Sequence, residues 1–223
     1  MTSNQDNSQA VTEFVFIMLD WSKDCLRPLP WRKKSTSNYK RIVSEILLQR
    51  TKADVVSAAY HKFFRRFPSW NKISTATENE IADQIKPLGL WRQRSVALKE
   101  LSGQMVSRHG RFPTSREEID KLPGVGQYVA NAIELFVHEK PAALLDVNMA
   151  RVLERYFGPR KLADIRYDPY LQSLAKRVVE QSPNYVLINW SILDFAALVC
   201  KKNKPECNTC PLGKSCKYKL SVK

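Results

Sequence analysis

Apolar residues recur along the chain at helical spacing, and no strongly alternating β-branched run stands out. Phe14, Ile17, Met18 and Trp21 keep an i, i+3, i+4, i+7 stripe, which predicts a helix over residues 10–22. Pro28 and Pro30 forbid its continuation. Ile42, Val43, Ile46 and Leu47 mark a second helix from Tyr39 to Gln49. A third covers 52–66, with Val55, Ala59 and Phe63 turned inward and Tyr60 beside them. Shorter helices are expected at 78–86, 91–109 and 115–121. The next, over 125–138, turns Ala130, Ile133 and Val137 inward, and segments 147–157, 169–181 and 186–199 complete the series. The expectation is an all-α protein of two helical halves, with a boundary near Pro141 in the stretch Lys140 to Leu145.

Composition narrows the partners. The chain has 223 residues, 43 % apolar and 26 % charged, an ordinary globular mix that excludes a disordered polyelectrolyte. Its formal net charge of +14 calls for a polyanionic partner, nucleic acid first. No apolar run approaches the roughly 18 residues that span a bilayer. Met1 to Ala10 is polar and lacks the basic-then-apolar order of a secretory signal, so a cytoplasmic location is expected.

Cysteine placement adds a candidate metal site. Cys25 stands apart and reads as a free thiol. Cys200, Cys207, Cys210 and Cys216 crowd together near the C-terminus, after the last helix, where a loop is free to wrap an ion. Four thiolates suit tetrahedral zinc or an iron–sulfur cluster equally well, and spacing alone leaves both open. Lys201, Lys202, Lys204, Lys214, Lys217 and Lys219 surround them, a basic loop able to dock on phosphates.

Leu122-Pro123-Gly124-Val125-Gly126 falls between two expected helices. Glycines one residue apart allow backbone angles and close approaches that bulkier residues resist. The helix that follows would offer N–H groups and a dipole to a phosphate. A tight helix–helix turn without ligand is the plainer reading of the fragment. Asp146 lies 20 residues beyond Gly126 and precedes an expected helix, so it could merely cap it.

The flanking residues make the match specific. Five ordered blocks run through most of the chain: Pro30-Trp31-Arg32; Ser44-Glu45-Ile46-Leu47-Leu48-Gln49-Arg50-Thr51; Leu122 to Ala130; Leu145-Asp146-Val147-Asn148-Met149-Ala150-Arg151-Val152; and the terminal cysteines with spacing x6-x2-x5. Together they resemble the helix-hairpin-helix DNA glycosylase superfamily, the endonuclease III group. The resemblance implies a helical barrel domain over 33–143 and a second helical domain of 1–32 plus 144–223 carrying a [4Fe–4S] cluster on the four cysteines. It implies a monomer acting on duplex DNA, with Leu122, Gly124, Val125, Gly126 and Gln127 at the phosphate backbone and Gln49 or Arg50 filling the gap left by an extruded base.

In that family Asp146 would stabilise the cation-like sugar as the C1′–N bond breaks. Glu45 would line the base pocket as hydrogen-bond partner or general acid. Lyase members carry a lysine where this chain has Tyr128, and a phenol cannot form an imine, so hydrolysis without efficient strand cleavage is expected. Tyrosine there resembles the archaeal enzymes that remove thymine or uracil opposite guanine. Adenine-mismatch enzymes usually have a small residue at that place and an additional C-terminal domain, whereas seven residues follow Cys216 here. The alternatives are adenine excision opposite guanine or 8-oxoguanine and a non-catalytic, cluster-bearing DNA-binding module. An electron carrier needs neither the hairpin nor the charge.

Overall fold

The computed structural model describes residues 2–221, with side chains from Ser8 onward. Among these residues there are helices and no strands. The chain divides into two compact units: one runs from Pro28 to Glu139, and the other joins the segment ending at Arg27 to the segment beginning at Lys140.

Helix α1, Thr2–Cys25, belongs to the discontinuous unit. Then come α2 (Asn38–Leu48), α3 (Ala53–Arg66), α4 (Trp70–Ser74), α5 (Glu78–Ile85), α6 (Trp91–Ser107), α7 (Arg116–Asp120) and α8 (Gln127–Phe136), all in the continuous unit. The discontinuous unit resumes with α9 (Val147–Phe157), α10 (Pro169–Glu180), α11 (Tyr185–Leu198) and α12 (Lys217–Ser221).

Local chemistry sets the helix starts. Ser37 accepts from the Lys40 N–H to begin α2, and Thr77 with Glu80 forms a reciprocal capping box on α5. Asp168 caps α10, whose first residue is Pro169, a position where the missing N–H costs nothing. In the continuous unit, α6 packs on α4 and α5, and α2 packs on α8. Ile42, Val43, Phe63, Ile73, Ile81, Ile85, Leu98 and Ile133 fill that interior.

In the discontinuous unit α1 lies against α10 and α11. Phe14 is fully buried, with its ring centroid 5.1 Å from Tyr156 and 5.2 Å from Phe157, both on α9. Helix α11 is apolar around most of its circumference, as suits a helix buried on several sides. Its three fully buried polar side chains, Asn189, Ser191 and Asp194, are all engaged. Asp194 accepts from the Arg27 N–H at 2.9 Å and from Arg27 Nε at 2.7 Å, which holds the end of the N-terminal segment.

The structure corrects three local expectations. Helix α1 begins at Thr2 rather than near residue 10, because its first two turns carry polar residues with no stripe to detect. On α3 the inward face is Val56, Tyr60, Phe63 and Phe64, while Val55 is 39 % exposed. The buried stripe is thus rotated by one residue, and the two adjacent phenylalanines set it. Helices α4 and α12 span five residues each, too short for a periodic signal.

Candidate active site

The turn between α7 and α8 forms a rigid hairpin. Arg116 bridges the two helices, donating through Nη1 to Asn131 Oδ1 at 2.7 Å and to Glu134 Oε2 at 2.8 Å. Gly124 has φ +70°, and a Cβ built there would lie 2.8 Å from Ala97 Cβ on α6. Both the backbone angle and the close approach therefore require glycine. The Val125 N–H donates to Leu122 O at 3.1 Å. The side chains of Leu122 and Val125 are buried, so they anchor the turn and do not reach outward as DNA contacts. Gly124 and Gly126 are exposed and Gln127 is half-buried. Gly126 starts α8 in an extended conformation with no side-chain cap, and a Cβ there would meet open space. The positive end of α8 is thus presented to an anion across a bare backbone.

Glu45 lies on the buried face of α2 and is 2 % exposed. Tyr128, the second residue of α8, donates its hydroxyl to Glu45 Oε2 at 2.9 Å. The packing of α2 on α8 brings together these two residues, 83 apart in sequence. Arg41, one helical turn before Glu45, interacts electrostatically with it and lies 5.4 Å over the Phe136 ring. Helix α2 ends at Gln49, half-buried, and Arg50, exposed and left-handed with φ 56°.

In the other unit, Asp146 is the N-cap of α9. Its Oδ1 accepts from the backbone N–H groups of Asn148 at 2.9 Å and Met149 at 2.8 Å, and its Oδ2 accepts from Asn148 Nδ2 at 2.6 Å. Capping thus uses one oxygen, and the second carries a single hydrogen bond with lone pairs to spare. The segment leading to Asp146 is pinned by Asn189, which accepts from the Leu144 N–H at 2.7 Å and donates to Ala142 O at 3.1 Å. Asn148 Oδ1 accepts from Arg151 Nη1 at 3.1 Å, and Arg151 Nε donates to Cys200 O at 2.9 Å. Asp146 is therefore joined through two side chains to the start of the cysteine loop. Sequence reasoning missed Asn189 and the bridging roles of Asn148 and Arg151, because each role depends on a partner remote in the chain or on a side-chain orientation.

Cys200, Cys207, Cys210 and Cys216 all line one shared pocket. Burial pushes the Cys210 thiol up to about 11. Arg155 Nη1 approaches Cys200 Sγ at 3.4 Å, and its guanidinium stacks 4.6 Å over the Tyr218 ring. Among the described residues, no three His, Cys, Asp or Glu groups converge tightly enough to clasp a single metal ion. Lys202, Lys204, Lys214 and Lys217 are exposed around this cavity, while Lys201 pairs with Glu206 at 2.9 Å.

The two hairpin glycines should respond differently to alanine. Gly124→Ala forces φ +70° and a clash with Ala97, and should lower unfolding free energy by about 1–3 kcal/mol in urea titrations. Gly126→Ala meets open space at an ordinary φ of −91° and should leave stability within about 0.5 kcal/mol. It should nonetheless weaken duplex DNA binding, measured by fluorescence anisotropy, because a methyl group then stands on the bare backbone.

Comparison with known proteins agrees with this arrangement. Residues 43–177 match the family of HhH-GPD superfamily base excision DNA repair proteins. A thymine-DNA glycosylase of Aeropyrum pernix is 37 % identical over 195 residues, which cover 86 % of this chain and 87 % of that protein. A thymine/uracil-DNA glycosylase of Pyrobaculum aerophilum is 36 % identical over 206 residues, 91 % of this chain and 89 % of that one. A solved structure of a thermostable thymine-DNA glycosylase superposes with a TM-score of 0.86 at 34 % identity, covering 96 % of this chain and 98 % of the other. With the family matched over more than half of the chain and relatives aligned over most of it, the chain belongs to the HhH-GPD superfamily of base excision DNA repair proteins.

Proposed function

We propose that the protein is a monofunctional DNA glycosylase that hydrolyses the bond between deoxyribose and a thymine or uracil mispaired with guanine. The observation that carries the choice of base is the hydrogen bond from the Tyr128 hydroxyl to Glu45 Oε2. A glutamate that accepts from a phenol and has Arg41 beside it is an acceptor, suited to the N3–H of a pyrimidine. Adenine excision needs a proton delivered to a ring nitrogen, a different task from the acceptor role that the Tyr128 and Arg41 contacts give Glu45. The relatives at 36–37 % identity, a thymine-DNA and a thymine/uracil-DNA glycosylase, support the same base class.

Duplex DNA would bind through phosphates at Gly124, Gly126, Gln127 and the start of α8, with no base read there. Mismatched pairs cost least to open, which favours extrusion at the mismatch. Gln49 and Arg50 would occupy the vacated space. As the C1′–N1 bond stretches, positive charge develops on the sugar, and the Asp146 carboxylate stabilises it or orients the attacking water. The water oxygen bonds to C1′, the pyrimidine leaves with the bonding pair, and the water proton ends on the base or in solvent. Tyr128 offers no amine, so no imine forms and the strand stays intact.

The four cysteines would hold a [4Fe–4S] cluster. A cluster binds each cysteine at a different iron, so sulfurs spread around one shared cavity fit it. The cluster would supply a fixed frame for the basic loop. Arg155 would neutralise thiolate charge at Cys200.

Four measurements test this reading. Duplexes containing G·T, G·U, A·G and A·8-oxoguanine, incubated with protein and then heated in alkali, should break only at the G·T and G·U sites. Cleavage confined to A-containing pairs would instead establish the adenine assignment. Asp146→Asn should slow excision by about 10²–10³-fold and leave the thermal midpoint nearly unchanged, since asparagine caps as well as aspartate. Tyr128→Phe should slow G·U excision about tenfold or more, the cost of removing a hydrogen bond to a charged group. Protein purified without oxygen should show broad visible absorption and carry iron and acid-labile sulfide in equal amounts; a zinc-only protein would refute the cluster.

A further inference from the structure

Arg94 sits in the first turn of α6 and is 4 % exposed. Among the described residues no carboxylate pairs with its guanidinium, and its Nε is buried without a hydrogen-bond partner. Its other nitrogens serve two separate loops. Nη1 donates to Leu88 O at 3.1 Å and Gly89 O at 2.9 Å. Nη2 donates to Thr51 Oγ1 at 3.0 Å and to Gln49 O. Thr51 Oγ1 in turn donates to Leu88 O at 2.8 Å, closing a ring across the loops. Each loop ends in a non-glycine residue with a left-handed backbone: Arg50 at φ 56° and Leu90 at φ 50°. Both tips are exposed, Leu90 at 43 %.

Burying an unpaired charge among neutral acceptors is costly for folding. Left-handed backbone at two non-glycine residues adds strain, which persists only where the surroundings over-determine it. Both costs fall at one guanidinium, and what they purchase is a fixed relation between the tips. We propose that Arg94 is a positioning residue that locks the Gln49–Thr51 and Leu88–Leu90 tips into one preformed edge, which enters the gap in duplex DNA when a nucleotide is extruded. A planar guanidinium is needed because its fork reaches acceptors on both loops at once. Lysine, a single point donor, reaches one loop or the other. This inference rests on the reading of the Gln49–Arg50 turn as the gap-filling element, and it is independent of which base is removed.

The test compares two DNA duplexes by fluorescence anisotropy. One is fully matched; the other carries a tetrahydrofuran abasic analogue opposite guanine, so its gap already exists. The unsubstituted protein should prefer the gapped duplex. Arg94→Lys and Arg94→Met should lose about tenfold of that preference while binding the matched duplex within twofold of the original. Methionine fills similar volume without charge and should match or raise the thermal midpoint, which separates loop positioning from support of the fold. Parallel loss on both duplexes, or a preference unchanged in both variants, would overturn the role of Arg94. An unsubstituted protein with no preference for the gap would overturn the reading of the tips themselves. The alkaline cleavage panel stands apart from all of these outcomes, because it reports base choice alone.

Discussion

A helix must find acceptors for the N–H groups of its first turn, and at α9 the acceptor is the carboxylate of Asp146. One oxygen takes the two backbone donors, and the geometry of that cap fixes where the second oxygen points. Asn148 then holds the second oxygen from the side, and Asn189 holds the chain leading in. The carboxylate is therefore set before any substrate arrives, so no reorganisation is needed as charge grows on a sugar. Capping and chemistry are often weighed as rivals for such a residue. In the proposed mechanism the first would supply the rigidity on which the second depends.

The continuous unit follows a similar economy at Glu45. A carboxylate that is 2 % exposed must have partners, and the partners it has decide what it can recognise. Tyr128 supplies a hydroxyl at the position where a lysine would make the chain a lyase. In the proposed reading one residue would both remove a nucleophile and adjust the acid facing the base. The hairpin that delivers Tyr128 is locked by Arg116 on one side and by the contact of Gly124 with α6 on the other.

Much of this was legible in the sequence. The stripe of Ile42, Val43, Ile46 and Leu47 located α2, and Asp146 before an apolar run located the start of α9. The glycine hairpin and the cysteine spacing were readable because backbone demands and donor sets leave marks at short range. What could not be read depends on partners far along the chain. The bond from Tyr128 to Glu45 spans 83 residues, and that from Asn189 to Leu144 spans 45. Arg94 looks like any helix cation until the two loops around it are seen. The face of α3 was misread because Val55 and Val56 are adjacent and equally apolar, and tertiary packing alone chose between them.

The discontinuous unit is assembled from both ends of the chain. During synthesis α1 emerges first, yet its partners α10 and α11 are made only after the whole continuous unit has left the ribosome. Domains fold as they appear, and closing a long loop delays the contacts that depend on it. The middle of the protein therefore completes itself while Phe14 and Met18 still lack the surfaces that bury them. The last strokes of folding bring the opening helix back onto the newest one. Until then its apolar stripe is open to other chains, and that interval is the window in which a nascent molecule is most exposed to misassembly.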